Sequence, residues 1–280
     1  MKVRLTYSDQ RDPVWKRRLI QGIELVSGRP KIERLYNEIE ASDAPAVRLW
    51  SLALEKLRVG VDLDRNRLAA IPAEGPLVLV ANHPFGVVDG LIMGAVAAGL
   101  RPDFCMLVNE VLNRNDRIAS FLLPVDFRET REAQQINIAT RQEAIRRLKN
   151  GEAVVIFPSG GVATSRSWWG RAEDLEWKVF VAKLIREARA TVVPMYFHGQ
   201  NSRLFQIVSQ FSLNLRLALL LNEMRNKMGT TIRVTVGAPI PFEEMEPIRD
   251  RKTLLGFLRD RTFELANEGL ERGKMPDNRL

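Results

Sequence analysis

The stretch Pro76-Leu77-Val78-Leu79-Val80-Ala81-Asn82-His83-Pro84-Phe85-Gly86-Val87-Val88-Asp89-Gly90 decides how this chain is read. Pro76 to Ala81 is continuously apolar, as in a strand buried on both faces. Leu91 to Ala98, just beyond, is apolar and rich in Ala and Gly, and reads as a buried helix. A histidine and a carboxylate therefore sit at a strand-to-helix junction, among Gly and Pro, where side chains can face a cleft. The chain has only 2 histidines, His83 and His198. A histidine near an aspartate is commonplace by chance. At the end of a buried strand it says more, because an imidazole acts as a base from one nitrogen when the other is held by a partner.

The same alternation continues outward. Phe104 to Val108, Ala153 to Phe157 and Thr191 to Phe197 read as apolar strands, and Thr231 to Val236 as a β-branched one. Helices are expected over 88–98, 132–149, 175–188, 204–227 and 252–270. A short helix is expected over 115–123, and a brief extended piece over 125–127. Residues 13–58 read as helical, with Trp15, Leu19, Ile20, Ile23 and Leu25 near one face and Pro45 near a helix start. A strand over 59–63 leads onward. Strands separated by helices imply an α/β fold with a mainly parallel central sheet flanked by helices. The expected division is an N-terminal helical segment, 1–59, and an α/β domain, 60–280. Ligands of such sheets bind beyond the C-terminal ends of the strands. His83, Pro158-Ser159-Gly160-Gly161 and His198 all follow strand ends, so they are expected along one edge.

The net charge of +8 over 280 residues favours an anionic partner: nucleic acid, an anionic membrane surface or a phosphorylated carrier. A merely soluble basic surface has the same charge. The basic residues are dispersed and no nucleic-acid motif is present, so no nucleic-acid partner is expected. The single cysteine, Cys105, excludes a disulfide within the chain. Its apolar neighbours favour a buried thiol over a nucleophile. One Cys and two distant His leave no zinc pattern, and no metal is expected. Met1 to Lys16 is polar, without the apolar core of a secretory signal. The longest apolar stretch, Pro76 to Leu100, is broken by Asn82, His83, Pro84 and Asp89, so no transmembrane helix is expected.

Four blocks occur in order: Asn82 to Gly90, Val125-Asp126-Phe127-Arg128, Val155-Ile156-Phe157-Pro158-Ser159-Gly160-Gly161 and Val192-Val193-Pro194-Met195. Together they resemble the glycerolipid acyltransferase superfamily of lysophospholipid and glycerol-phosphate acyltransferases. The resemblance spans roughly residues 60–240. It is nearest the hemolysin-like branch, which includes the O-acyltransferases of bacterial ornithine lipids and related aminolipids. Two departures mark this chain. Five residues separate His83 from Asp89 where four are usual, with Gly86 available to tighten the turn. Ser159 stands where the third block usually carries a Glu associated with acceptor binding.

The resemblance implies transfer of a fatty acyl group from an acyl-carrier-protein or coenzyme A thioester to a lyso-lipid hydroxyl, with no metal or redox cofactor. His83 would take the hydroxyl proton, and Asp89 would hold its other nitrogen. Backbone N–H groups of Ser159, Gly160 and Gly161 would receive the oxyanion. Arg128 matches an Arg of the second block, and its guanidinium suits a phosphate or carboxylate. The neutral Ser159 argues against a plain glycerol phosphate and towards a lyso-aminolipid such as lyso-ornithine lipid. The alternatives are lysophosphatidic acid as acceptor, or a non-catalytic anionic-lipid-binding protein of the same fold. His198 suits a structural or substrate-contact role. Trp15, Trp168 and Trp169, set among basic residues, suit a membrane headgroup layer, although Trp rings also pack into cores. The expected location is peripheral, on the cytoplasmic face of the inner membrane.

Overall fold

A computed structural model describes residues 14, 18, 22, 28–110, 116–128, 130–211 and 213–271. Among these, the strands are β1 (Gly60–Asp62), β2 (Leu77–Ala81), β3 (Phe104–Asn109), β4 (Leu122–Val125), β5 (Ala153–Ile156), β6 (Thr191–Phe197) and β7 (Thr231–Val236). They form one sheet in the order β1-β7-β6-β2-β5-β3-β4. From β6 to β4 every pairing is parallel, and only β6 and β7 meet antiparallel. The mainly parallel α/β sheet expected from the alternation is the one observed.

β2 lies at the centre because nothing in it needs water. All its residues are buried, and Leu77 aligns with Ala153 on one side and Thr191 on the other. Alternate side chains enter opposite layers, as the period of a strand requires. Leu77, Leu79 and Ala81 join α2 (Leu49–Leu57) and α4 (Val87–Leu100) through Trp50, Leu54, Ile92 and Met93. Val78 and Val80 join α5 (Arg131–Lys149), α6 (Phe180–Ala188) and α10 (Arg251–Glu271) through Leu148, Leu184 and Leu258. The result is helix, sheet and helix in three layers. Pro194 lacks the N–H that a ladder needs. It falls between the Val192–Ile240 bridge and the β6–β7 pairing that starts at Met195.

Several helices differ from their expected extents. The N-terminal region contains α1 (Arg29–Glu40) and then α2, with Pro45 opening a 3₁₀ turn between them. Trp15 lies outside the described residues. A short α3 (Arg65–Ala69) was not foreseen; Asp64 caps it by accepting from Asn66 N–H at 2.9 Å. The helix expected over 115–123 reduces to a 3₁₀ turn, Ala119–Phe121, before β4. There Leu122 and Leu123 pair with β3, so sheet pairing outweighs local propensity. α6 begins only at Phe180. The helix expected over 204–227 is two, α7 (Arg203–Ser209) and α8 (Leu213–Lys227). Ser202 caps α7 by accepting from Phe205 N–H at 3.2 Å. A four-residue α9 (Phe242–Met245) precedes α10.

The seam between α2 and α4 depends on Gly94. A Cβ there would lie 2.5 Å from Trp50 Cδ2. Gly94→Ala is expected to destabilise the fold by about 1–3 kcal/mol through overpacking. Trp50→Leu in the same chain should recover part of that loss. Urea unfolding of the double-mutant cycle checks it, and strictly additive effects would show that the two residues do not compete for this space.

Candidate active site

The site is built where β2 gives way to α4. Asn82 carries the β2–β6 pairing one step past the strand. Its Nδ2 donates to the Phe197 carbonyl at 3.0 Å, and its Oδ1 accepts from Phe197 N–H at 2.7 Å. His83 is then fixed along its backbone by a distant loop. Its N–H donates to Asp174 Oδ1 at 3.1 Å, and its carbonyl accepts from Ala163 N–H at 2.7 Å. The imidazole stacks on Phe157, with centroids 4.0 Å apart.

Nδ1 of His83 lies 3.0 Å from Asp89 Oδ2. Phe85 and Gly86 donate their N–H groups to the same oxygen at 2.8 and 2.9 Å. Asp89 is thus both the partner of His83 and the carboxylate that accepts the N–H of Gly86, the N-cap residue of α4. Gly86 makes the longer spacing workable. Its φ of +90° is a conformation that side chains disfavour. An added Cβ would also press on Leu220 and Val162 at 3.0 and 3.2 Å. Asp89 is wholly buried, whereas the His83 side chain keeps 16% exposure. In the tautomer that donates Nδ1–H to Asp89, Nε2 carries the lone pair.

The third block forms the adjoining turn. Gly160 N–H donates to the Phe157 carbonyl at 2.9 Å, and Gly160 adopts φ +67°. Ser159 is buried, and its hydroxyl donates to the Gly161 carbonyl at 2.9 Å. The second block meets this turn: a Cβ on Gly160 would lie 3.2 Å from the Phe127 ring. Arg128, beside it, places Nε on Asp126 Oδ1 and Oδ2 at 3.0 and 2.9 Å, and Nη2 on Glu110 at 3.2 Å. Those bonds hold the Asp126 carboxyl well below its usual range, at about 2. The Arg128 side chain remains half exposed, but much of its charge is shared with two carboxylates.

A family model described as Acyltransferase matches residues 53–273. The chain belongs to this acyltransferase family. Lyso-glycine lipid O-acyltransferases of Phocaeicola vulgatus and Bacteroides thetaiotaomicron are both 28% identical to it, over 230 and 235 residues. These alignments cover 75% and 81% of this chain, and 80% and 82% of the relatives. Among solved structures, a 1-acyl-sn-glycerophosphate (LPA) acyltransferase, PlsC, from Thermotoga maritima aligns over 94% of this chain and 91% of its own. The identity is 16% and the TM-score 0.48.

In an acyltransferase an activated ester supplies the electrophile, so a base and an oxyanion receptor suffice. His83, Asp89 and the turn at Ser159-Gly160-Gly161 lie together, linked through Phe157 and through the Ala163–His83 bond. His198 is engaged elsewhere: Nε2 lies 2.8 Å from Thr235 Oγ1, and burial lowers its pKa. Trp168 and Trp169 are 55% and 80% exposed, which removes the core reading for both. Sequence reasoning did not find Asn82 or Asp174. Asn82 had a local signal, being the polar residue that ends an apolar strand. Asp174 had none, lying 91 residues from its partner. Burial raises the Asp174 pKa, while His83 N–H and the Trp177 indole both donate to its carboxyl group.

Cys105 sits within β3, and burial pushes its thiol up to about 12. A thiol in that range holds almost no thiolate near neutral pH. Cys105→Ala is therefore expected to keep acyl transfer within about twofold, allowing for the modest cavity it leaves. The wild-type thiol should resist iodoacetamide until the protein unfolds. Rapid alkylation of the folded protein accompanied by loss of turnover would show a reactive cysteine instead.

Proposed function

We propose that this acyltransferase moves a fatty acyl group from an acyl-carrier-protein or coenzyme A thioester to the hydroxyl of a lyso-aminolipid. The observation that carries the reading is the His83 Nδ1–Asp89 Oδ2 contact of 3.0 Å, which leaves Nε2 as the base. Nε2 takes the hydroxyl proton as the alcohol oxygen attacks the thioester carbonyl carbon. The resulting oxyanion is received at the Ser159-Gly160-Gly161 turn by backbone N–H groups other than that of Gly160, which is given to the Phe157 carbonyl. The C–S bond then breaks, and the imidazolium returns its proton to the leaving thiolate. Asp89 keeps the imidazole in one tautomer and stabilises its charged form.

The acceptor class follows from two supports. Ser159 offers the turn no negative charge, and its hydroxyl is turned onto Gly161. The curated relatives are named for a lyso-glycine lipid, so an amino-acid head group is favoured over a glycerol phosphate. Ornithine, the head group first expected, belongs to the same chemical class. His83→Ala should reduce turnover by on the order of 10²–10⁴-fold with the fold intact. Asp89→Asn should also impair it. In a competition scored by kcat/KM, a lyso-aminolipid should outrun lysophosphatidic acid. A clear preference for lysophosphatidic acid would reverse the acceptor assignment.

The setting of this reaction is the membrane surface. Among the described residues no helix is long and apolar enough to cross a membrane. Trp168 meets Phe211, itself 69% exposed, with ring centroids 6.3 Å apart. Arg166 beside them has a side chain that is 91% exposed. Aromatic rings beside arginine suit the headgroup layer of an anionic leaflet. This supports a peripheral protein on the cytoplasmic face, where the thioester donors are made. Binding to anionic vesicles should weaken as salt rises, and Trp168→Ala with Trp169→Ala should weaken it further. Vesicle affinity unchanged by the double substitution would remove these rings from the contact.

A further inference from the structure

Arg216 lies on α8 with its side chain turned in over the third block. Nη2 donates to the Val162 carbonyl, and a Cβ on Gly161 would lie 3.8 Å from that nitrogen. The residue is only partly exposed, and burial lowers its pKa. A guanidinium withdrawn from water is costly unless it is paired. Among the described residues no carboxylate pairs with it. One neutral carbonyl answers part of its fork of donors, leaving the rest for an acceptor from outside. Arg128 differs in this respect, since Asp126 and Glu110 already share its charge.

The neighbours of Arg216 belong to the active site. Val162 lies close to Gly86, as the 3.2 Å approach of an added Cβ shows. The next residue, Ala163, holds the His83 carbonyl at 2.7 Å. Gly160 and Gly161 present no side chain along this turn. A Cβ on Gly161 would meet Leu175 at 3.0 Å as well as the guanidinium, so a larger residue would encroach on this approach.

We propose that Arg216 receives the head-group carboxylate of the acceptor lyso-lipid and so selects acceptors that carry an oxyanion. The inference rests on the lyso-aminolipid reading and names the residue that reads the head group. Arginine suits the task because its planar fork matches a carboxylate. A phosphate on the thioester donor presents similar chemistry, and the experiment separates the two.

The test compares a lyso-aminolipid with its carboxylate methyl ester, using one thioester donor, in wild type, Arg216→Met and Arg216→Lys. Wild type should favour the free acid. Arg216→Met should raise KM for the acid by roughly 10–100-fold, the worth of a charge-assisted hydrogen bond. It should lower kcat/KM for the ester far less, and Arg216→Lys should recover part of the loss on the acid. Equal loss on acid and ester, or a rise confined to the KM of the thioester, would overturn the assignment. So would wild type that does not distinguish acid from ester, a measurement that needs no variant to fold. Wild type inactive on both forms yet active on lysophosphatidic acid would overturn the parent reading, and this inference with it. Activity on the free acid that is indifferent to Arg216 would overturn this inference alone.

Discussion

Everything at the site depends on one oxygen, Asp89 Oδ2. It accepts from His83 Nδ1 and from the N–H groups of Phe85 and Gly86, all between 2.8 and 3.0 Å. One of the two backbone donors, the Gly86 N–H, belongs to the N-cap of α4, and the other, the Phe85 N–H, to the residue before it. The carboxylate is therefore held by the architecture of α4 before it does anything for the imidazole. That explains how a longer spacing between His83 and Asp89 is tolerated. Gly86, where φ is +90°, lets the chain turn so that the His83–Asp89 contact closes across five intervening residues. The positive end of the helix also favours a negative group at this point.

The imidazole is fixed by its backbone as much as by its ring. Asn82 ties the preceding residue to β6, while Ala163 and Asp174 hold His83 on both its carbonyl and its N–H. Phe157 then limits the ring to one plane. These contacts come from β6, from the end of β5 and from the loop between β5 and α6. The imidazole is placed by three separate parts of the sheet layer. An imidazole set this way would need no reorganisation if charge developed on it as a base, which is where much of an enzyme's electrostatic advantage lies.

The legible parts of this structure were the local ones. β2 was readable because an uninterrupted apolar run has few alternatives, and its burial on both faces confirms why. The His83–Asp89 contact was readable because its partners are six residues apart. The helix over 204–227 was misread as continuous because its apolar residues do not reveal the break between α7, which ends at Ser209, and α8, which starts at Leu213. Asp174 and Arg216 were invisible for another reason. Each is one charged residue among many, and its meaning comes entirely from what the fold places beside it. Arg128 shows the converse. Its position in a recognisable block suggested a guanidinium for a substrate phosphate or carboxylate, whereas Asp126, two residues earlier, takes much of its charge.

The loop that holds His83 is also the loop that carries Trp168 and Trp169. Thr164 and Glu173 pair as an antiparallel bridge at its base, next to the two residues bonded to His83. Arg203 braces its far side by donating to the Gly170 carbonyl at 2.7 Å. Ser165 is tied to Gln206 on α7 at 2.8 Å. These contacts tie the ribbon at its base and along its length, so the exposed rings are connected to the backbone that holds His83. If those rings enter the headgroup layer, the same contacts that orient the imidazole also set its distance from the lipid surface. A lyso-lipid hydroxyl would then meet His83 without the lipid having to leave the leaflet completely, which avoids much of the cost of exposing an acyl chain to water.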